Sequence, residues 1–319
     1  MNKTKAPKNR TIEIFEDEKL ALTSKLLTLN KKATVSKIKN KVINQNFFEA
    51  VNYLPKNFVD LLIIDPPYNL YKSFNTVKFK QLSIESYSEW FDSLIVSLLP
   101  TLKNTASVYV CSDWKSSTSI HLVLEKHFKV RNRITWEREK GRGASKNWKN
   151  NSEDIWFATV SDNYTFNLND VKVKRKVIAP YKNLDGTPKD WEKSESGSFR
   201  LTYPSNIWND ISVPFWSMPK NTEHPTQKPE KLLAKLILAS SNNNDFIFDP
   251  FSGSGTTLAV AKKLDRKFAG IEIDENFSLL SQKRILLAEK EKSIQGYFNG
   301  TFWERNSLQM IKRDGKKSV

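Results

Sequence analysis

Two periods of apolar residues alternate along this chain. Short runs typical of buried strands fall at Lys41 to Ile43, Val59 to Ile64, Ser107 to Cys111, Val130 to Trp136, Asp154 to Val160, Phe246 to Phe248 and Phe268 to Ile273. Between them, apolar residues recur every three or four positions, as on one face of a helix. The clearest case carries Tyr87, Trp90, Phe91, Leu94, Ile95 and Leu98. Others cover Phe47 to Leu54, Ile120 to Phe128, Leu232 to Ser240, Thr257 to Leu264 and Leu279 to Ile294. Pro229 suits the first turn of the third of these. Strands alternating with helices predict an α/β fold with a mostly parallel sheet covered on both faces.

Two regions depart from that rhythm. Residues 1–40 read as a basic N-terminal arm, partly helical around Phe15, Leu20, Leu22, Leu26, Leu27 and Leu29. Residues 161–223 hold Pro180, Pro188, Pro204, Pro214 and Pro219, little periodicity, and many aromatic and basic side chains. The aromatics need burial or a partner, so this is an insertion or small subdomain and not a linker. It separates two halves of the α/β region, 41–160 and 224–295, and a basic tail is expected over 296–319.

Composition narrows the class. With 319 residues and 39% hydrophobic content the chain can bury a sizeable core. It has no apolar run of about 18 residues to span a membrane. No apolar segment follows the basic N-terminus as a secretory signal requires, so a cytoplasmic location is expected. One cysteine, Cys111, excludes an internal disulfide framework, and with three histidines it makes no convincing zinc site. The 51 basic against 35 acidic residues give a net +16. On a folded domain such an excess is the footprint of a polyanion partner, against the blander alternative of a solvated lysine-rich surface.

The chemistry lies in two loops. FIFDPFSGSGTTLAVAKKL, Phe246 to Leu264, is a strand, a glycine loop and a helix. Glycines allow positive φ and close backbone approach to a ligand, and the helix offers unpaired N–H groups. Glu272 ends the next strand, where a carboxylate roughly 20 residues on grips a ribose. The loop lacks the Gly-Lys-Ser/Thr of a phosphate loop, and Leu258 stands where a dinucleotide fingerprint needs its third glycine. Asp249 beside it would repel a pyrophosphate and attract an ammonium. A ligand with ribose hydroxyls, a charged amine and no phosphate is implied, and S-adenosylmethionine has that inventory. The second loop is Asp65-Pro66-Pro67-Tyr68, directly after the apolar run LLII. Alone it could be a strand-terminating turn with a surface tyrosine.

Together these motifs resemble the amino-group DNA methyltransferases. Asp65-Pro66-Pro67-Tyr68 is similar to their catalytic motif and Phe251-Ser252-Gly253-Ser254-Gly255 to their cofactor loop. His224-Pro225-Thr226-Gln227-Lys228-Pro229 resembles the segment preceding that loop, and the motif order matches the circularly permuted β group. The resemblance covers roughly residues 40–290. It implies a Rossmann-like, doubly wound methyltransferase fold of the first class with 161–223 as target-recognition region. It also implies S-adenosylmethionine bound by Asn46, Asp65, His224, Thr226, Lys228, Asp249, Phe251 to Thr256 and Glu272. Asn46 is a departure, since family members commonly carry an acid there; an amide can still donate and accept hydrogen bonds to adenine.

Asp65, as an acceptor, and the Pro66 carbonyl can each take one N–H of an exocyclic amine, whose lone pair is otherwise delocalised into the base ring. The prolines fix φ and remove competing donors. Tyr68 offers a flat face to a base swung out of the duplex. Stacking of this kind is worth ~1–3 kcal/mol. No metal is needed. Cytosine C5 chemistry would need a cysteine after proline, and Cys111 reads as core. The implied function is site-specific N6-adenine methylation of double-stranded DNA in a restriction–modification system. A restriction endonuclease encoded nearby and a monomeric or weakly dimeric state are expected with it. N4-cytosine methylation and a non-catalytic nucleic-acid-binding subunit of the same fold are the alternatives. Arg138, Lys140, Arg142 and Lys146, in a glycine-containing basic stretch, and Lys172, Lys174 and Arg175 in the insertion are the candidate DNA contacts.

Overall fold

A computed structural model describes residues 6–70, 72–74, 77–79, 81–138, 145–177, 181–194 and 197–305. Eight strands build one large sheet: β1 Lys41–Asn44, β2 Val59–Ile64, β3 Leu102–Ser112, β4 Lys129–Glu137, β5 Ser152–Thr159, β6 Ile207–Trp208, β7 Phe246–Asp249 and β8 Lys267–Glu272. Their spatial order is β1-β8-β7-β2-β3-β5-β4-β6. Every neighbouring pair is parallel except those that β5 makes with β3 and β4, so β5 alone is reversed. Each strand expected from the apolar runs is present, within a few residues of its expected ends.

The helices are α1 Glu16–Thr23, α2 Val35–Ile38, α3 Phe47–Ala50, α4 Ile84–Leu98, α5 Ser117–His127, α6 Glu230–Ser240, α7 Thr256–Lys263 and α8 Glu275–Lys290. Side chains alternate across a strand, so β7 sends Phe246 and Phe248 into one core and Ile247 into another. The first core is closed by α3, α4 and α5, the second by α6 and α7. Helix α6 was expected to be amphipathic, but all eleven of its residues are buried. Its charged residues are internally paired: Glu230 with Lys263 at 2.6 Å, and Lys231 with Asp210 at 2.6 Å.

Three expectations change. The insertion 161–223 is not wholly apart from the α/β region, because Ile207–Trp208 within it is the edge strand β6 of the large sheet. Only Glu16–Thr23 of the arm's apolar pattern is helical, and Phe15 and Leu20 point outward at 60% and 83% exposure. Leu27 instead bridges to Ile43, extending the sheet edge. The supposed tail is folded through Trp303. Tyr297–Phe298 and Thr301–Trp303 join Val173–Lys176, Glu192–Ser194 and Gly197–Thr202 in a second, five-stranded sheet. Fully buried Phe302, which pairs with Val173, explains why this segment does not trail into solvent.

Candidate active site

Strands β2 and β7 are parallel neighbours, with Leu61 opposite Ile247 and Leu62 opposite Phe248. From β7 the chain winds on to β8 on one side; from β2 it winds to β3 on the other. Open α/β sheets place ligands outside the carboxyl ends of strands at such a switch point. The two loops singled out by sequence therefore leave the sheet side by side. A cavity of about 290 Å³ opens there. Four strand ends wall it: Gln45 and Asn46 after β1, Asp65 to Tyr68 after β2, Pro250, Phe251 and Gly253 after β7, and Glu272 to Asp274 after β8. His224, Thr226 and Lys228 approach from the segment before α6, and Phe47, Phe48, Trp90 and Phe277 supply aromatic wall.

The glycine loop divides its work. Gly253, at φ +51°, lines the cavity, and a Cβ there would lie 2.8 Å from His224 Nε2. Its N–H donates to Glu272 Oε2 at 2.9 Å. Gly255, at φ +75°, caps α7 and packs against α8, where a Cβ would come 2.8 Å from the Ser281 Cα. Asp249, Ser252, Ser254 and Thr256 line a smaller adjoining pocket of about 30 Å³. Arg284 binds the Ser254 carbonyl at 3.1 Å and the Thr256 hydroxyl at 2.8 Å, so both residues also tie α7 to α8. Asn46 caps α3, its side-chain oxygen accepting from the Phe48 N–H at 2.9 Å. Burial pushes the carboxyls of Asp249 and Glu272 up to about 7 each, against the hydrogen bonds they accept.

At the other wall Asp65 is already engaged. Lys228 Nζ donates to its two oxygens at 2.8 and 2.7 Å, and the Tyr68 hydroxyl donates to it at 2.9 Å. Lys228 also stands 3.3 Å from Glu153 Oε2, and Arg138 holds Glu153 Oε1 at 2.6 Å. Burial disfavours the Lys228 charge, yet Asp65 and Glu153 outweigh it and raise its pKa above the ordinary value. Burial, then Asp65 and Glu153, push the Tyr68 hydroxyl well above an ordinary phenol. Cys111 lies buried in β3, as expected of a core residue.

Sequence reasoning missed Glu153, Trp90, Asp274 and Phe277. Trp90 sat in a helical apolar pattern and read as core, while Glu153 sat unremarked at the start of a strand. Among the candidate DNA contacts, Arg138 turns inward to Glu153 and Lys146 is exposed. Lys140 and Arg142 lie outside the described residues. Lys172 lies 4.8 Å above the Tyr203 ring, Lys174 5.2 Å above Trp303, and Arg175 3.9 Å from Glu304.

A glycine loop and a proline-rich acidic ledge face each other across one cavity, as the likeness to amino-group methyltransferases leads one to expect. Residues 59–283 match the N6/N4 family model described as DNA methylase, and the chain belongs to that family of DNA amino-methyltransferases. It is 32% identical to the DNA adenine methyltransferase YhdJ of Escherichia coli (strain K12) over 286 residues, 86% of this chain and 93% of the relative. It is 31% identical to the type II methyltransferase M.HpaI of Haemophilus parainfluenzae, over 77% of this chain and 74% of that one. The fold is shared with the M1.HpyAVI–SAM complex at 21% identity and a TM-score of 0.52, covering 76% and 98% of the two chains. It is shared too with the PvuII cytosine-N4-specific DNA methyltransferase at 15% identity and a TM-score of 0.55, covering 86% and 91%.

Proposed function

We propose that this enzyme transfers a methyl group from S-adenosylmethionine to the N6 amino group of adenine at a specific sequence in double-stranded DNA. The observation that carries this reading is the placement of Asp65-Pro66-Pro67-Tyr68 and the glycine loop on adjacent parallel strand ends around one cavity. The donor wall fits the cofactor. Glu272, on the cavity wall, would accept from ribose hydroxyls, Gly253 leaves its backbone bare of a side chain there, and buried Asp249 would favour a cation nearby. When bound, S-adenosylmethionine supplies an activated methyl group, so the protein needs no nucleophile of its own. Asp65 and the Pro66 carbonyl take the two amino N–H bonds and turn the nitrogen lone pair toward the donor. Tyr68 gives the flipped base its stacking face, offsetting part of an unstacking cost of a few kcal/mol.

Adenine is preferred because the most extensive likeness described above is to a protein named for adenine methylation. The fold shared with a cytosine-N4-specific enzyme keeps that base as the second reading. In the same proposal residues 161–223 read the target sequence, and the strand order is the permuted arrangement of the methyltransferase fold. Kinship with type II enzymes supports a protective role beside a restriction endonuclease. Expression in a methylation-free host, followed by modified-base sequencing of its DNA, tests the reading. N6-methyladenine in one sequence context is expected. N4-methylcytosine would transfer the assignment to the second reading, and no modified base with folded, cofactor-binding protein would overturn both.

A further inference from the structure

We propose that Glu153 is a positioning residue that receives the Lys228 ammonium when the target amino group takes Asp65. The inference rests on the amino-methyltransferase reading above and adds a cation exchange to it.

Asp65 has little acceptor capacity left for an incoming amine. Lys228 Nζ spans both of its oxygens, at 2.8 and 2.7 Å, where a base amino group would have to bond. With Tyr68 also on Oδ1, three of the carboxylate's roughly four acceptor sites are taken, so the ammonium competes with the arriving amine. Only 8% of the Lys228 side chain is exposed, so release into water is not open to it. A buried lysine stripped of its counter-ion is strongly destabilising. Glu153 is the nearby anion, with Oε2 3.3 Å from Nζ, and 5% of its side chain is exposed.

The two partners differ in mobility in the way an exchange needs. Glu153 belongs to reversed strand β5, pairs in register with Trp136 of β4, and is held through Oε1 by Arg138. Lys228 sits on a flexible four-carbon stem. A small swing of that stem converts a carboxylate pair with Asp65 into one with Glu153, and no net charge moves into or out of the site. The Tyr68 hydroxyl marks the pivot: it donates to Asp65 at 2.9 Å, lies 3.3 Å from Glu153 Oε2, and accepts from Lys228 at 3.1 Å. Exchange frees the two Asp65 acceptor sites that Lys228 takes, one on each oxygen, for the amine. It also keeps the carboxylate occupied until a base is present.

A double-mutant cycle tests the exchange. Glu153→Gln, Lys228→Met and the pair are assayed with plasmid DNA from a methylation-free host and radiolabelled cofactor. Cofactor affinity is followed by calorimetry and folding by thermal unfolding. Glu153→Gln leaves Lys228 clamped on Asp65, so kcat/KM for DNA should fall about 10²-fold, the cost of a misplaced reacting group. Cofactor affinity should hold. In the Lys228→Met background there is nothing to displace, and the same Glu153→Gln change should cost less than about twofold, near the additivity error of such cycles. An equal loss in both backgrounds overturns the exchange. Lys228→Met alone gives a reading that does not depend on the Glu153 variant folding. It should lower the KM for DNA, whereas a merely structural lysine would raise it. Failure of the wild-type enzyme to methylate any DNA would sink the underlying reading instead.

Discussion

At the scale of single residues, two buried carboxyls set the pH response. Asp249 and Glu272 have pKa values near 7 in the folded chain, against ordinary values of 3.8 and 4.5. The folded protein therefore keeps protons that the unfolded chain has released between about pH 4.5 and 7. Their contribution to stability is present at acid pH and lost as pH rises through 7. Binding a cationic cofactor favours the ionised forms, so the two effects oppose each other. Cofactor affinity should rise between pH 6 and 8, by up to about tenfold per unit for one proton released. Calorimetry in two buffers of different ionisation enthalpy measures that proton directly, and a flat affinity would contradict the assignment. The residue scale is also where legibility divides. Asp65 and the glycine loop could be read because their neighbours in sequence carry the signal: prolines, a tyrosine, paired glycines after a strand. Glu153 could not, since its meaning lies in Arg138 and Lys228, which only the fold brings to it.

Among elements, the strands were read best because an apolar run of four to six residues between turn signals has few other uses. The segment 296–303 was missed because strands of two and three residues have no period to detect. Its turn did carry a signal: Asn299 and Gly300 both have positive φ, at 48° and 71°, and Asn-Gly between apolar residues marks a tight hairpin. This hairpin adds two strands to the second sheet, where Phe302 is fully buried beside Val173. Phe302→Ala should cost about 3–5 kcal/mol, the usual range for a buried phenylalanine. Urea unfolding of the full chain reads that loss, and a change below about 1 kcal/mol would mean the second sheet contributes little to the cooperative core. Helix α6 shows the opposite failure. The face away from Leu232, Leu233, Leu236 and Ile237 is buried too: Lys231 bonds Asp210 and the Trp303 carbonyl, and Lys235 lies over the Trp208 ring.

For the whole molecule, charge and topology act together. A net +16 on 319 residues favours association with DNA phosphates before any base is read. If 6–10 phosphates are contacted, affinity should drop roughly 10³- to 10⁵-fold between 50 and 200 mM salt. A filter-binding series measures the slope, and a shallow one would assign the charge to ordinary surface solvation. Topology then decides where chemistry happens. Because β2 and β7 lie side by side, two motifs far apart in sequence become the facing walls of one cavity. That adjacency was expected only through the family likeness, since nothing local in either motif names its neighbour. In the function proposed above, Asp65 holds the acceptor amine and not the methyl donor. Asp65→Ala leaves Lys228 its second partner, Glu153 at 3.3 Å, so the site should stay folded. The deciding measurement follows cofactor binding and DNA methylation side by side on this variant. Methylation should vanish while cofactor affinity largely survives. Lost binding, with residual methylation tracking cofactor occupancy, would contradict the account.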